Sequence, residues 1–329
     1  KSDEFSGDVD FKFRKSSNLD NGLYIQICKF LIPKSYLEDF KAINDYSKKI
    51  LPNKPKLIYT ANAHLGEDMF NIWAAQKINS SKLIIAQHGG HYGLGKTSGL
   101  QSYEYEIGDY FFSWGWVNKK YKKVLPIGTW LKKIRHAPKK NNPYLYIIGS
   151  GSSKYLCSTI SMPIGADWKL YIKKIKTFVD NLNQIDASNI FLRPYHSNIV
   201  WDQINIFKTN FPKIKIESIG NDITQSIKKS RLVICTWNST NFLHLLFSDI
   251  PFICLWDKNL FSVSKKNNFY LDQLNDVNIV HYDPRSAAFF VNSIWPNIDS
   301  WWNEKSTQKA KKSFLSNYCV ASRKNFDKL

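Results

Sequence analysis

The segment QHGGHYGLGK, residues 87–96, combines residue types that bind anions and move protons. Its glycines permit positive φ angles and let backbone amides approach a ligand closely, which suits an anionic group. His88 directly follows a predicted strand, and open α/β sheets bind ligands at the carboxyl ends of their strands. The glycine spacing matches neither a Walker A loop nor GxGxxG. We therefore expect a ligand site here, with a plain glycine-rich turn as the alternative.

A second segment, SYEYEIGDYFFSWGW at residues 102–116, supplies carboxylates. Glu104, Glu106 and Asp109 stand just before a predicted aromatic strand. A carboxylate in such surroundings can serve as an acid, a base or a nucleophile. If the segment is extended, period-two alternation puts Glu104 and Glu106 on the same face. The alternative is a solvated strand edge.

Two segments further along the chain are suited to phosphate. Arg193 and His196 follow a predicted strand in LRPYHSN, and either side chain can hold an anion. Asn238, Ser239 and Thr240 form an N-cap cluster before a predicted helix in CTWNSTNFLHLL. A helix N-terminus attracts anions through its free N–H groups and its dipole. Simple capping is the alternative, but the position directly after a buried strand favours ligand binding.

A weaker phosphate site is the Gly/Ser loop GSGSSK, residues 149–154, in which Gly149 and Ser150 follow a predicted strand. An ordinary flexible turn is the alternative. Asp8 and Asp10 match a DxD metal motif, but no strand precedes them, so we treat the match as chance and expect no metal site. The five cysteines are far apart and form no CxxC or Cys/His cluster, which predicts neither a disulfide framework nor a zinc site.

These segments lie among apolar runs that alternate with helix-like stretches, the pattern of βαβ units and a parallel sheet. In the first half the predicted strands cover residues 23–28, 56–60, 82–87 and 110–113, and the predicted helix covers 68–77. A basic stretch at 137–143 predicts an interdomain linker. In the second half the predicted strands cover 144–148, 190–193, 232–236 and 251–255, with helices near 168–183 and 241–247.

The length of 329 residues exceeds one ordinary hydrophobic core. We predict an α/β protein with two Rossmann-like domains, residues 1–140 and 141–299, that face a ligand-binding cleft. A C-terminal helical tail, residues 300–329, would pack back onto them through Trp301 and Trp302.

A net charge of +19 favours anionic partners, which include nucleic acid, an anionic membrane surface and phosphate-bearing or acidic substrates. The alternative is a lysine-rich solvated surface. No RNP-like, zinc-finger or helix–turn–helix pattern supports nucleic acid. The polar N-terminus lacks the apolar core of a signal peptide, and no apolar run is long enough to span a membrane. We expect a cytoplasmic protein, with a contact at the inner face of the membrane as a further expectation, and a chain processed or truncated at its N-terminus.

The sequence resembles a family of surface-carbohydrate transferases from O-antigen loci. The matching stretches are QHGGHYG, EYEIGDYFFSWGW, RPYH, TWNSTNFLHLLFSDIPFICLWD and SWWNEKSTQKAKKSF, in that order, from about residue 56 to the end. The resemblance implies the GT-B architecture, with UDP-GlcNAc 2-epimerases, CDP-glycerol transferases and retaining β-Kdo transferases as more distant relatives. It implies a nucleotide-sugar donor, with CMP-Kdo as a candidate, and no metal cofactor.

Residue by residue, the resemblance assigns three roles. A catalytic group is expected among Asp109, Glu104 and His88, where the carboxylate is either a nucleophile or a base. Contacts to the acceptor or the sugar are expected from the first motif, through Gln87, Gly89, Gly90 and Tyr92. Contacts to the donor are expected from the second half of the chain, through Arg193, His196, Asn238, Ser239, Thr240, Gly149 and Ser150. The order Arg-Pro-Tyr-His replaces the His-Pro pair of CMP-sugar transferases.

The expected activity is transfer of a sugar from a nucleotide donor to a bacterial surface polysaccharide or a lipid-linked glycan. One alternative is a nucleotide-sugar epimerase of the same fold, which needs no acceptor. The other is a basic polyanion-binding protein without catalytic activity, whose affinity falls steeply with salt.

Overall fold

The computed structural model describes residues 31–137, 142–151, 165–195, 201–218 and 220–321. Several predicted features lie outside these residues, namely the strand at 23–28, the Asp8–Asp10 triplet, His196 and most of the Gly/Ser loop after Gly151. The described chain forms two compact units that divide between Ala86 and Gln87. The predicted domain boundary at residue 140 and the predicted cleft between two domains stay predictions.

The described part of the first unit, residues 31–86, contains one pair of parallel strands and two α-helices. Strand β1 (Leu57–Thr60) pairs in parallel with β2 (Lys82–Ala86), as the apolar runs at 56–60 and 82–87 predict. Its helices are α1 (Phe40–Ile50) and α2 (Asp68–Ala75), which pack on each other, and short 3-10 turns cover Lys34–Tyr36 and Ala63–Leu65. Trp73 of α2 is buried and donates its indole N–H to the carbonyl oxygen of Pro52 at 3.0 Å.

The second unit begins with helix α3 (Gly99–Ile107) and the parallel strands β3 (Tyr110–Ser113) and β4 (Val124–Pro126). A six-stranded sheet follows, and all of its neighbouring strands are parallel. Its strands in chain order are β5 (Leu145–Ile148), β6 (Ile190–Arg193), β7 (Lys215–Ile216), β8 (Leu232–Cys235), β9 (Phe252–Leu255) and β10 (Val280–His281). Every residue of β5 and β8 is buried, as expected for central parallel strands made of continuous apolar runs.

The order of this sheet is β10-β9-β8-β5-β6-β7, which is the Rossmann strand order. The chain runs outward from β5 to one edge and then returns to start again at β8. The crevice between the carboxyl ends of β5 and β8 is therefore the switch point at which sheets of this kind bind ligands. The Rossmann-like prediction for the second half is confirmed by this order.

Helices connect and flank the strands of the large sheet. They are α4 (Asp167–Asp180), α5 (Gln203–Asn210), α6 (Ile223–Lys229), α7 (Thr240–Ser248), α8 (Lys265–Asp276) and α9 (Pro284–Ile294), with a 3-10 turn at Ala187–Asn189. The helices predicted near 168–183 and 241–247 are confirmed as α4 and α7. None of the helices in the described part of the chain is both long and apolar enough to cross a membrane.

The helical tail is confirmed as α10 (Ile298–Trp302) and α11 (Lys305–Tyr318). Trp301 and Trp302 are buried, as predicted for residues that anchor this tail. Lys311 of α11 is also buried, forms an ion pair with Asp249 and lies over the Trp302 ring at 3.8 Å. Asp249 ends α7 in the left-handed conformation, with φ of 58°.

One local prediction is wrong. The residues around Glu104 and Glu106 form helix α3 and not an extended segment, so the two carboxylates do not share a face. Glu104 is fully buried, whereas Glu106 is exposed. The alternating aromatic and acidic residues imitate a strand, but Ser98 caps a helix here by accepting a hydrogen bond from the amide of Gln101 at 3.2 Å.

Packing of α11 gives a stability prediction. Phe314 is fully buried and packs edge-on against Phe242 of α7, with ring centroids 5.4 Å apart. We expect Phe314→Ala to lower the free energy of unfolding by about 3–5 kcal/mol, because it leaves a cavity in the core. Guanidinium denaturation measures this loss. Ser316→Ala, at an exposed position of the same helix, should change it by less than about 0.5 kcal/mol, and equal losses would contradict the prediction.

Candidate functional site

The loop after β2 is organised by the side chain of Gln87. This residue is buried, and its side-chain amide donates to the carbonyl oxygen of Gly89 at 2.8 Å. Its side-chain oxygen accepts from the backbone amide of Trp114 at 2.9 Å and from the indole N–H of Trp116 at 2.8 Å. Gln87 therefore shapes the glycine loop from inside, and its predicted contact with a sugar or acceptor stays a prediction.

The glycine loop lies directly against the N-terminus of α7. A Cβ atom added at Gly90 would stand 2.3 Å from the carbonyl oxygen of Ser239 and 2.8 Å from the backbone nitrogen of Thr240. At Gly89 the nearest atoms of α7 are less close, at 3.7 Å to the Thr240 hydroxyl oxygen. Only glycine fits position 90, because backbone packs on backbone. The structure thus joins two segments that the sequence predicts separately as ligand sites.

The N-terminus of α7 has the features of an anion site. Ser239 is the N-cap, and its hydroxyl oxygen accepts from the amide of Asn241 at 3.2 Å, as the sequence predicts. Thr240 is half-buried in the first turn. The side chain of Asn238 is only 5% exposed, and within the described residues its side-chain oxygen accepts no hydrogen bond. A ligand hydroxyl would satisfy that oxygen, while the first N–H groups of the helix favour a negative charge.

The carboxyl ends of β5 and β8 are tied together by one hydroxyl group. The phenol oxygen of Tyr171 lies 2.6 Å from the backbone nitrogen of Ser150 and 2.5 Å from the hydroxyl oxygen of Thr236. Thr236 in turn donates to the carbonyl oxygen of Ile148 at 2.8 Å. Gly149 and Ser150 therefore lie at the switch point beside the segment that leads to α7. Ser150 is fully buried, and its predicted contact with a donor stays a prediction.

Arg193 is bound within the protein. Its guanidinium donates to the carboxylate of Glu217 at 2.9 Å and to the carbonyl oxygen of Asn221 at 2.8 Å, and the residue is buried. These contacts fix β6 to the segment after β7. The donor-phosphate role of Arg193 stays a prediction, and His196, which was predicted beside it, lies outside the described residues.

A hydrogen-bonded chain runs from the glycine loop into α3. The phenol oxygen of Tyr92 lies 3.0 Å from Nδ1 of His88 and 2.9 Å from Oε1 of Glu104. Tyr92 is 1% exposed and Glu104 is fully buried, whereas His88 is half-buried. Burial raises the pKa of Tyr92 well above its usual range, and the Glu104 carboxylate raises it further. The phenol therefore keeps its proton and acts as a hydrogen-bond donor.

Asp109 lies at the opposite end of β3 from the glycine loop. It directly precedes Tyr110, the first residue of the strand, whereas the backbone amide of Gln87 donates to the carbonyl oxygen of Phe112 at 2.9 Å. Three residues of extended strand separate these positions by about 10 Å. The structure thus brings Glu104 to His88 and leaves Asp109 apart, and the catalytic role of Asp109 stays a prediction.

Sequence reasoning missed several residues that build this site. Asn267 of α8 is buried and donates to the carbonyl oxygens of Gly93 at 2.6 Å and Leu94 at 2.9 Å. Tyr171 and Thr236 hold the switch point. Asn267, Tyr171 and Thr236 carry no local sequence signal, because each bonds to residues far away in the sequence.

A pocket at the carboxyl edge of the large sheet is lined by the side chains of Thr236, Trp256, Asp257, Phe261 and Tyr282, among others.

No group of three or more His, Cys, Asp or Glu side chains is placed to hold a metal ion within residues 31–137, 142–151, 165–195, 201–218 and 220–321. The expectation that no metal is needed stays a prediction.

The fold and the site define an α/β protein with a Rossmann-ordered sheet and an anion-attracting helix N-terminus at its switch point. The chain belongs to the LIC12162 family of transferases, whose family model matches residues 2–329. No curated protein matches it.

Three solved structures are among those that this chain matches. The wall teichoic acid polymerase TagF is 13% identical, with 86% of this chain and 80% of that chain covered and a TM-score of 0.43. MurG from Acinetobacter baumannii is 11% identical, with 88% of this chain and 77% of the MurG chain covered and a TM-score of 0.45. The spinosyn rhamnosyltransferase SpnG is 11% identical, with 90% of this chain and 79% of the SpnG chain covered and a TM-score of 0.45.

The close approach of Gly90 to α7 gives a prediction. We expect Gly90→Ala to lower the free energy of unfolding by about 1–3 kcal/mol, because the added methyl group must displace backbone. Chemical denaturation measures the change. Gly66→Ala is the matched control, since nothing lies within 4 Å of a Cβ atom added there. If the two variants lose the same stability, the contact between the loop and the helix does not constrain the loop.

Proposed function

We propose that this transferase moves a glycosyl group from a nucleotide-sugar donor to an acceptor hydroxyl. The observation that supports this most strongly is the contact of Gly90 with the N-terminus of α7. It places a histidine-bearing loop beside a helix end that attracts phosphate. A proton acceptor and a site for an anionic leaving group are the two parts that glycosyl transfer needs.

The donor side of the proposal rests on the switch point. Phosphate oxygens would accept hydrogen bonds from the free amides of α7 and from the hydroxyl groups of Ser239 and Thr240. A sugar or ribose hydroxyl would donate to the buried oxygen of Asn238. Charge on the departing nucleotide would be stabilised by these fixed dipoles rather than by a metal ion. Among donors, CMP-Kdo or a related CMP-ulosonic acid is the first to test, on the resemblance described above.

The acceptor side of the proposal rests on charge and on His88. A net charge of +19 attracts anionic acceptors, which include a growing surface polysaccharide, a lipid-linked glycan and the membrane surface that carries it. His88 is half-buried and belongs to the loop whose glycines contact α7. It would take the proton of the attacking hydroxyl group.

A panel of nucleotides tests the donor site. Thermal-shift measurements with CMP, CDP, UDP and GDP should show selective stabilisation by one nucleotide, because at equal ligand concentration the ligand with the highest affinity stabilises the folded state most. Uniform shifts that vanish with salt would instead indicate a polyanion-binding protein. Turnover of a nucleotide sugar without any acceptor would indicate an epimerase.

Two cap variants locate the donor site on α7. We expect Ser239→Ala to weaken binding of the selected nucleotide about tenfold, since a hydrogen bond to a charged group contributes about 1.5–3 kcal/mol. Asn297→Ala is the matched control. It removes the side-chain cap of α10, and Asn297 lines a groove with Pro251, before the amino end of β9. Equal loss of nucleotide affinity in both variants would argue against a phosphate site at α7.

Substitution of His88 tests the proton acceptor. We expect His88→Gln to lower kcat by about 10²–10⁴-fold with little change in KM, because a general base acts in the transition state. Steady-state kinetics with the donor found in the panel measure this. His244→Gln on α7, whose ring contacts the carbonyl oxygen of Lys132 at 2.6 Å, is a control that should keep its activity. Full activity of His88→Gln would remove the histidine from the mechanism.

A further inference from the structure

We propose that Tyr92 and Glu104 are positioning residues that hold His88 in the tautomer with a proton on Nδ1, so that Nε2 is the atom that accepts the acceptor's proton. This inference rests on the proposed role of His88 as the base. It assigns new roles to Glu104 and Tyr92, because both act through His88 and neither touches the substrate.

The direction of the hydrogen bonds follows from the number of protons available. Tyr92 has one hydroxyl proton, and a carboxylate has none to donate. At 2.9 Å the hydroxyl group donates to Oε1 of Glu104, so the phenol oxygen is left as an acceptor for its second neighbour. That neighbour is Nδ1 of His88 at 3.0 Å, which must then carry the proton. The neutral imidazole consequently has its lone pair on Nε2.

The hydrogen-bonded series His88–Tyr92–Glu104 is held by contacts to two elements outside the glycine loop, β3 and α3. The Tyr92 ring stacks on Phe111 of β3, with centroids 5.8 Å apart and an interplanar angle of 26°. Glu104 belongs to α3, and Gln101 of the same helix accepts the amide proton of Gly93 at 3.2 Å. The glycine loop and the helix are thus bound to each other on both sides of the phenol group.

The neighbouring ring of His91 does not take up a proton at neutral pH. Burial lowers the pKa of His91 to about 4, and the nearby His88 ring lowers it further. His91 therefore stays neutral at pH 7. The titratable groups near His88 include Tyr92, which keeps its proton, Glu104 and the neutral His91.

The reaction step balances as a direct displacement. The acceptor oxygen forms a bond to the anomeric carbon while its proton passes to Nε2 of His88. The bond between the anomeric carbon and the phosphate oxygen breaks, and its electron pair leaves with the nucleotide. The imidazolium that forms is stabilised through Tyr92 by the negative charge of Glu104, in the way that a buried carboxylate stabilises a catalytic histidine. Nothing is oxidised or reduced.

The tautomer is tested without any substrate. Nitrogen-15 NMR of histidine-labelled protein distinguishes a protonated Nδ1 from a protonated Nε2, and His88→Gln identifies the His88 signals. We expect the neutral ring to carry its proton on Nδ1 in the unmodified chain and to show a mixture of tautomers in Tyr92→Phe. A proton on Nε2 in the unmodified chain would overturn the inference, whatever the enzyme's activity.

Kinetics of two variants test the consequence. We expect Tyr92→Phe to lower kcat by about 10–100-fold at nearly constant KM, because the ring keeps its packing but His88 loses its orienting partner. Tyr105→Phe is the matched control. Tyr105 is also buried, on α3, but its hydroxyl group accepts a hydrogen bond from Gln101 and does not contact His88, Tyr92 or Glu104 through any bond described above. Equal loss of kcat in both variants would reduce Tyr92 to a packing role.

Glu104→Gln separates charge from shape. The amide keeps the volume and still accepts from Tyr92, but it no longer favours the protonated imidazole. We expect the acid limb of the kcat/KM profile to move to lower pH, together with a fall in kcat. Glu106→Gln, exposed on the same helix, should leave the profile unchanged. An unchanged acid limb in Glu104→Gln would overturn the role of Glu104.

The outcomes for the inference and for the proposed function are distinct. If His88→Gln is inactive while Tyr92→Phe and Glu104→Gln match their controls, His88 is the base, but Tyr92 and Glu104 do not position it. If His88→Gln is active, the base lies elsewhere. The NMR result alone then decides whether Tyr92 and Glu104 determine the tautomer of His88.

Discussion

The arrangement of this protein depends on the contact of Gly90 with the start of α7, where two backbones meet without a side chain between them. The contact is possible because Gln87 shapes the loop from inside and because Asn267 holds its far end through two carbonyl oxygens. Once the loop is in place, Gly89 and Gly90 lie against the first residues of α7. Close backbone packing thus fixes the loop that carries His88 to a helix end that favours negative charge.

The polar groups of the second unit differ in how completely they are bound within the protein. Arg193 forms an ion pair with Glu217, and Lys311 forms one with Asp249, so these charges are neutralised within the protein. The polar groups at the start of α7 are bound less completely. Buried side-chain oxygens without partners are rare in proteins, and Asn238 directly precedes the N-cap of α7. A bound ligand is one way in which such an atom is satisfied.

Much of the fold was predictable, because strongly apolar strands and a capped helix are local signals. The strands β5, β6, β8 and β9, the helical tail and the N-cap at Ser239 were predicted from sequence and are confirmed, whereas the two-residue strands β7 and β10 were not predicted. Helix α3 was not, since alternating residues imitate a strand and the decisive cap at Ser98 lies before the motif. The His88–Tyr92–Glu104 chain was predicted only as separate residues. Its connection depends on a helix packing against a loop, which no spacing in the sequence encodes.

The end of the described chain reaches back to the beginning of the second unit. The amide of Thr129 donates to the carbonyl oxygen of Val320 at 2.7 Å, and the amide of Val320 donates to Trp114 at 2.8 Å. During synthesis the amide of Thr129 and the carbonyl group of Trp114 therefore stay without these partners until the segment after α11 has left the ribosome. Contacts between distant parts of a chain form slowly. This part of the second unit consequently closes only after Val320 has been made.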